Sequence, residues 1–272
     1  MEIEKLKQVE SEAQKINQGF EQSRKNEVIS RLLAGEDLQK ILESLPGFSE
    51  SFDAELDTID CSDGRVLDGK KIGIAGSGLL LPDSERALFV ERFKGKIKEL
   101  TTHYDCGAAK IGFEQAKALF PETIPAEVTT ADEYGSWRGK KLAEELGANH
   151  KYLGADEMAN EYHNEVAIVI DQTGRFDSTN LDNFPAHFVC TGAGLGFSEE
   201  YMKAELKTLT GIALGHHGFG ERFTPEDPFY LVVAANNYAE LLPWEKVAQE
   251  VANDFEGKVV VKSCVRPLSN KN

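Results

Sequence analysis

Short apolar runs alternate with helix-forming stretches after residue 50, and this alternation constrains the fold more than any other feature. The clearest run, VAIVID at 166–171, has the length and β-branched content of a strand buried on both faces. Comparable runs follow at 187–190, 229–234 and 258–261. The alternation predicts an α/β fold, in which a central, mostly parallel sheet is flanked by helices.

The same reasoning places the other elements of this region. Gly147 directly follows one helical stretch, where a left-handed C-terminal residue is common. Ser84 is a candidate N-cap for another. No internal repeat is evident. The expected strands are at 56–61, 71–75 and 100–103, and the expected helices are at 84–100, 108–119, 131–146, 199–214 and 244–255.

The beginning of the chain has a different composition, which is rich in Glu, Lys, Gln, Leu and Ile. Its apolar residues recur at helical spacing, and Leu45-Pro46-Gly47 ends the pattern. We therefore expect an N-terminal helical arm at 1–50 and an α/β metal-binding domain at 51–272. The apolar stripe of the arm must be buried on that domain or on a second copy, which favours a homodimer or a higher homo-oligomer. The stripe comprises Ile3, Leu6, Val9, Ala13, Val28, Leu32 and Leu33.

Charge and cysteine content limit the classes of function. The 272 residues include 30 Lys and Arg against 46 Asp and Glu, a formal charge of −16 that repels phosphate backbones and disfavours nucleic-acid binding. No run reaches the roughly 18 apolar residues of a membrane span, and the charged N-terminus has no apolar signal core. Four cysteines are too few for a disulfide scaffold. These features favour a cytoplasmic protein with free thiols and no membrane partner.

The first motif with chemical content is CSDGR at 61–65. Alternate side chains of an extended segment face the same way, so Cys61, Asp63 and Arg65 present a thiolate, a carboxylate and a guanidinium together. Gly64 allows a turn or a close approach to another group. A structural salt bridge that braces the loop is the alternative explanation for Asp63 and Arg65, but the alternation directs both side chains toward the metal side and favours a functional role.

The second motif is HYDCG at 103–107. His103 and Cys106 are three residues apart and meet on one face of a turn. Cys106 also falls where a helix is expected to begin, and a helix N-terminus favours the thiolate that binds metal. With Cys61, these residues offer the Cys2His set of a catalytic zinc (Zn2+) site with one open position, which Cd2+ or Co2+ would also suit. Cys190 and Cys264 have no partner at ligand spacing.

Together, CSDGR and HYDCG resemble the paired zinc-binding signature of the β-class carbonic anhydrases. CSDGR followed by the glycine-rich IAGSG at 74–78 resembles the cadmium-tolerant ζ class, and the similarity spans about 55–171. Only 42 positions separate Cys61 from His103, fewer than is usual in the β class. The resemblance to this superfamily implies Cys61, His103 and Cys106 as metal ligands and reversible hydration of carbon dioxide to bicarbonate by a metal-bound hydroxide.

The resemblance also suggests catalytic roles. Asp63 would accept the hydrogen bond of the hydroxide, and Arg65 would hold Asp63 by a charge-assisted fork. In the β class the equivalent carboxylate can instead rotate onto the metal, so both states of Asp63 stay open. A histidine would carry the proton away. Five histidines are available for this step, and the sequence selects none of them: His150, His163, His187, His216 and His217.

Two further functions remain open at this stage. The same site could hydrolyse carbonyl sulfide or carbon disulfide, because pocket shape decides between these substrates and carbon dioxide. Alternatively, the chain could be a non-catalytic zinc-binding protein. The glycine-rich segment 192–196 lacks the acidic partner of a dinucleotide-binding loop and is expected to be a flexible connector.

Overall fold

The computed structural model describes residues 2–55, 57–66, 71–216 and 218–267, with side chains from residue 10 onward. Strands and helices alternate along the α/β part, as the sequence predicts. Leu56, the expected first residue of one strand, lies outside the described residues. The strands are β1 (Thr58–Cys61), β2 (Ile72–Ile74), β3 (Glu99–His103), β4 (Asn149–Leu153), β5 (Ala167–Asp171), β6 (His187–Cys190), β7 (Phe229–Ala235) and β8 (Val259–Val265). The α-helices are α1 (Glu2–Arg24), α2 (Glu27–Leu33), α3 (Leu38–Glu43), α4 (Asp83–Phe93), α5 (Gly107–Leu119), α6 (Ala131–Leu146), α7 (Gly192–Leu195), α8 (Glu199–Ala213) and α9 (Tyr238–Ala252).

The described strands form two four-stranded sheets, and every pairing within them is parallel. The first sheet has the order β2-β1-β3-β4 and the second has the order β6-β5-β7-β8, so the second half of the chain repeats the topology of the first. This repeat was not evident in the sequence.

The two sheets meet along the edges formed by β2 and β6. The Thr191 N–H donates to the Gly73 carbonyl at 2.9 Å, and the Val189 N–H donates to the Ser62 carbonyl at 3.1 Å. The Gly73 N–H donates to the Thr191 Oγ1 at 3.1 Å. A Cβ atom on Gly73 would lie only 2.4 Å from the Val189 carbonyl oxygen, so this junction requires glycine. The second half of the chain thereby reaches the loop that contains Asp63.

The N-terminal arm packs on the second half of the chain. Ile16 and Phe20 of α1 are buried, and the Phe20 ring lies edge-on to Phe219 at 5.3 Å between centroids. In α3, the Gln39 side chain accepts from the Val265 N–H at 2.8 Å, which ties this helix to β8. The arm therefore shares one hydrophobic core with the sheets from residue 16 onward, while residues 10–15 are exposed.

Most elements lie where the sequence places them, and the differences have local causes. The helix expected at 84–100 begins at Asp83 rather than after Ser84, and it ends at Phe93 because Gly95 adopts a left-handed φ of 74°. The edge strand β4 was not predicted, because its residues are mostly exposed and lack an apolar run. Among the described residues, no helix is both long and apolar enough to cross a bilayer.

The expected flexible connector at 192–196 is wrong. Residues Gly192–Leu195 form the short helix α7, which ends at Gly196 with a φ of 81°. Gly194 packs against the backbone of Gly174, where a side chain would collide with it at 2.3 Å. The glycines therefore serve close packing between α7 and the end of β5 rather than flexibility.

Gly73→Ala should destabilise the protein strongly, because the new methyl group must displace the Val189 carbonyl at the sheet junction. We expect a loss of roughly 2–4 kcal/mol, comparable to overpacking in a core. Gly211→Ala is the matched control, since Gly211 lies in α8 with no atom within 4 Å of its Cβ position. That change should stabilise by about 0.5–1 kcal/mol. Urea denaturation of both variants measures the contrast, and equal stability would contradict a tight junction.

Candidate metal centre

The first motif begins at the carboxyl end of β1, between β2 and β3. Cys61 is the last residue of β1, and its sulfur accepts the Gly76 N–H at 3.2 Å. Gly76 and Ser77 both have a left-handed φ, of 59° and 58°, which turns this N–H toward the sulfur. The glycine-rich segment therefore forms a tight turn that holds the first candidate ligand.

The second motif follows β3, the other neighbour of β1. His103 is the last residue of β3, and the chain turns at Asp105, whose φ is 55°. The Asp132 carboxylate accepts the Asp105 N–H at 2.9 Å and stabilises this turn. Cys106 then occupies the N-cap of α5, where the sequence places the start of a helix. The turn returns Cys106 to the side on which His103 and Cys61 lie.

The structure brings together the three predicted ligands, which are all buried. The donor atoms of Cys61, His103 and Cys106 lie within 4.8 Å of one another. The two sulfurs are 3.9 Å apart. Two sulfurs bound to one tetrahedral zinc at about 2.3 Å each lie about 3.8 Å apart, whereas a disulfide requires about 2.05 Å. The sulfur spacing therefore fits a shared metal ion.

The histidine has the orientation of a metal ligand. The His103 Nδ1 donates to the Tyr104 carbonyl at 2.8 Å, which leaves Nε2 as the nitrogen with a free lone pair. That Nε2 is buried and has no hydrogen-bond partner among the described residues. Buried polar atoms without a partner are rare, and a metal ion would satisfy this one. The ligand set and its geometry thus fit zinc.

The two thiols differ in acidity. The hydrogen bond between them raises the pKa of Cys61, and burial raises it further. The same hydrogen bond lowers the pKa of Cys106; burial opposes the effect, and the N–H groups of Ala109 and Ala108 at the start of α5 support it. Cys106 is therefore the thiol that ionises first and would bind the metal first.

Asp63 and Arg65 form a buried, forked ion pair beside the ligands. The Arg65 Nη2 donates to Asp63 Oδ2 at 2.7 Å, and Nε donates to Oδ1 at 3.0 Å. The Arg65 backbone N–H also donates to Oδ1, at 3.0 Å. Burial opposes ionisation of Asp63, but the hydrogen bonds from Arg65 and the nearby His163 and His103 outweigh it and lower its pKa. Asp63 is thus an ionised carboxylate, with Oδ2 3.8 Å from His103 Nε2.

Two residues that the sequence did not select complete this cluster. The His163 Nδ1 lies 3.1 Å from Glu165 Oε2 and 3.8 Å from Asp63 Oδ1. Both residues precede β5, and Glu165 is almost fully buried. The position of Gly64 makes room for them, because a Cβ there would lie 2.7 Å from the Glu165 Cγ. The only sequence feature that could have identified them is the position of a histidine and a charged residue directly before the buried strand VAIVID.

The remaining candidate residues lie outside the centre. Cys190 donates to the Glu205 carboxylate at 3.1 Å, and Cys264 is buried in β8. His150 bonds to Thr102, and His216 bonds to Glu221 on the surface. His217 lies outside the described residues. None of these cysteines and histidines belongs to a metal-ligand group in the part of the chain that the structure describes.

The second sheet carries no equivalent ligand set. Its loop DQTGR at 171–175 follows β5 as CSDGR follows β1, so Asp171 occupies the position of Cys61. The strand registers place Ala235 at the position of His103. The Asp171 carboxylate instead accepts the backbone N–H groups of Thr173 and Phe176 at 2.9 and 3.1 Å. Only the first sheet therefore retains the chemistry of a metal centre among the described residues.

Comparison of the chain with protein families, with curated proteins and with solved structures found no match. The functional assignment therefore depends on the chemistry and geometry of the centre itself. The centre combines three candidate zinc ligands with an ionised carboxylate and a buried guanidinium.

The centre should bind about one zinc per chain, with two sulfur neighbours and one nitrogen neighbour. Cys106→Ser should lose most of the metal, because a serine hydroxyl is a poor zinc ligand. Cys264→Ser is the control and should keep it, since Cys264 lies in β8, away from the centre. Metal analysis and X-ray absorption spectroscopy test this expectation. A spectrum with only oxygen and nitrogen neighbours would contradict the assigned ligand set.

His187 at the start of β6 should make the protein sensitive to acid. Burial lowers its pKa from 6.5 to about 4, partly offset by its hydrogen bond to the Pro185 carbonyl. Below pH 6.5, His187 is protonated in the unfolded chain but stays neutral in the folded chain. The free energy of unfolding therefore falls as the pH drops from 6.5 to about 4. The loss should be about 3 kcal/mol. His187→Asn keeps the donor and does not titrate, so urea unfolding of this variant should lose that part of the pH dependence.

Proposed function

We propose that the chain catalyses the zinc-dependent, reversible hydration of carbon dioxide to bicarbonate. The observation that carries the proposal is the buried Cys61, His103 and Cys106 cluster, with Asp63 Oδ2 3.8 Å from His103 Nε2. Three protein ligands would leave the fourth position of a tetrahedral zinc for water. The motifs CSDGR and HYDCG resemble those of the β-class and ζ-class carbonic anhydrases, and the proposal assigns the chain to that superfamily. Zinc bound here would lower the pKa of a coordinated water from 15.7 to about 7 and so supply hydroxide near neutral pH.

Asp63 has the properties needed to orient that water. Its carboxylate is ionised, so it can accept a hydrogen bond but cannot donate one. Its Oδ2 lies 3.8 Å from the free nitrogen of His103. A carboxylate fixed there would hold one hydrogen of the water and aim an oxygen lone pair at the carbon of the substrate.

Arg65 supports catalysis by keeping Asp63 off the metal. Its guanidinium and backbone N–H hold both oxygens of Asp63 through contacts of 2.7–3.2 Å. These contacts would have to break before Asp63 could rotate to become a fourth ligand. Breaking a buried pair costs about 3–5 kcal/mol. The arrangement therefore favours an open metal position over a closed, purely structural zinc site.

A cavity of about 520 Å³ lies between α5 and α8 next to the centre. Gly107, the neighbour of Cys106, lines it together with Ile111 and Ile212. Carbon dioxide is small and apolar, so apolar walls beside the ligands suit its approach. Lys110 and Lys207 line the same cavity and would favour the departing bicarbonate.

We also propose that the protein works in the cytoplasm as a homodimer. All four cysteines are free and buried, which is consistent with a reducing cytoplasm. Leu119 and Phe120 at the end of α5 are exposed by 66% and 57%, and this apolar pair would suit a contact in a homodimer. Gel filtration with light scattering tests the assembly.

Asp63→Asn should separate catalysis from metal binding. The amide is nearly isosteric but presents a donor where an acceptor is required, so hydration of carbon dioxide at pH 8 should fall on the order of 100-fold. The variant should keep its zinc, because the three ligands are unchanged. Arg65→Lys should show a milder loss, since lysine cannot supply the planar fork. Stopped-flow hydration assays with parallel metal analysis give both quantities.

Two outcomes would contradict the proposal. If Asp63→Asn matches the rate of the wild type, Asp63 does not orient the reacting water. If the zinc-loaded wild type shows no hydration between pH 6 and pH 9, the chain is not a carbonic anhydrase. Carbonyl sulfide hydrolysis, assayed on the same preparation, then distinguishes another substrate from a non-catalytic zinc site.

A further inference from the structure

The segment before β5 alternates between two environments. Tyr162 and Asn164 line a cavity of about 610 Å³ beside α1. His163 and Glu165 face the opposite way, and their donor atoms lie within 4.8 Å of a carboxylate oxygen of Asp63. This alternation is that of extended backbone, in which successive side chains point to opposite sides. The segment that begins the second half of the chain therefore inserts two titratable groups beside the metal centre of the first half.

Glu165 orients the His163 ring. The Nδ1 of His163 lies 3.1 Å from Glu165 Oε2, and the ring packs at 5.5 Å between centroids against Phe188. The Nδ1–H donates to the carboxylate, so Nε2 is the basic nitrogen. Nε2 makes no hydrogen bond to any described residue, and the ring lines the 520 Å³ cavity between α5 and α8. His163 thus lies between Asp63 and that cavity.

A second metal ion is a weaker explanation of this cluster, although Asp63, His163 and Glu165 offer donor atoms within 4.8 Å of one another. Both oxygens of Asp63 already accept hydrogen bonds from Arg65. The guanidinium charge would also repel a second cation. The groups that remain, one imidazole and one carboxylate, are too few to hold a metal ion firmly but suffice to bind and release a proton.

We propose that His163, oriented by Glu165, carries protons from the metal centre to the cavity between α5 and α8. This inference rests on the proposed hydration reaction. Each turnover adds hydroxide to carbon dioxide and leaves one proton from water at the centre. Neutral His163 accepts that proton, becomes imidazolium, and returns to the neutral form when a buffer base in the cavity takes a proton from the ring.

The charges around His163 suit this role. The carboxyl groups of Asp63 and Glu165 lie beside the His163 ring, while Arg65 is engaged with Asp63 and offsets part of its negative charge. On the cavity side the ionisable groups are Asp105, Lys110, Lys207 and His216. Lys110 pairs with Asp105, and His216 pairs with Glu221. The cavity wall thus presents mostly paired charges, which leaves His163 as the buried base between the centre and the solvent.

His163→Ala tests the path by activity. The kcat of this variant for hydration should fall on the order of 10- to 100-fold in dilute buffer, because proton transfer out of the site becomes rate-limiting. The kcat/KM for carbon dioxide should stay unchanged, and added imidazole should restore kcat. His216→Ala, on the exposed rim of the same cavity, should keep the full kcat. A loss in His216→Ala with none in His163→Ala would overturn the assignment.

Nuclear magnetic resonance of the histidine ring nitrogens gives a readout that does not depend on activity. In the zinc-loaded protein His163 should carry its proton on Nδ1, facing Glu165. Glu165→Gln should weaken the preference for the form of His163 protonated on Nδ1, because a neutral amide oxygen is a weaker acceptor than a carboxylate. An unchanged distribution of the proton between Nδ1 and Nε2 in this variant would contradict the pairing.

The failures of the two proposals are distinguishable. A wild type that binds zinc without hydrating carbon dioxide contradicts the proposed function, and the proton path falls with it. An active wild type together with a fully active His163→Ala in dilute buffer overturns the proton path alone and leaves the hydration reaction in place.

Discussion

The parallel pairing of β1 with β3 is the constraint on which the rest of the structure depends. Cys61 and Cys106 are 45 positions apart, yet their sulfurs lie 3.9 Å from each other. Cys61 is the last residue of β1, and Cys106 comes three residues after the end of β3, the strand that pairs with β1. Parallel neighbours place these ends at the same edge of the sheet. The glycine-rich turn after β2 then donates an N–H to Cys61, so the third strand of this edge fixes the first ligand.

The second half of the chain repeats the topology of the first but has taken a supporting role. It lacks the ligand set, and its Asp171 binds the backbone of its own loop instead. It nevertheless reaches the centre twice. Glu205 of α8 accepts the Ala75 N–H at 2.6 Å, next to the N–H that holds Cys61, and His163 lies between Asp63 and Glu165. One half therefore supplies the candidate metal ligands, and the other anchors and completes their surroundings.

Asp63 connects stability with the chemistry proposed for the site. A buried carboxylate without partners would be protonated or would destabilise the fold. The fork from Arg65 makes the ionised form favourable and at the same time fixes its direction. The same charge would orient water in the proposed reaction, and it lies beside His163. A structural salt bridge and a catalytic carboxylate are thus compatible interpretations of this one pair.

The sequence by itself determined the α/β class, most strand and helix positions, and the five candidate site residues, because these depend on local periodicity and on side-chain types at short spacing. The five residues are Cys61, Asp63, Arg65, His103 and Cys106. It did not reveal the repeated topology, the short helix α7, the exposed strand β4 or the roles of His163 and Glu165. Those features depend on which distant segments pack together. The junction of Gly73 with Val189 decides that contact, since it places the second half of the chain against the loop of Asp63.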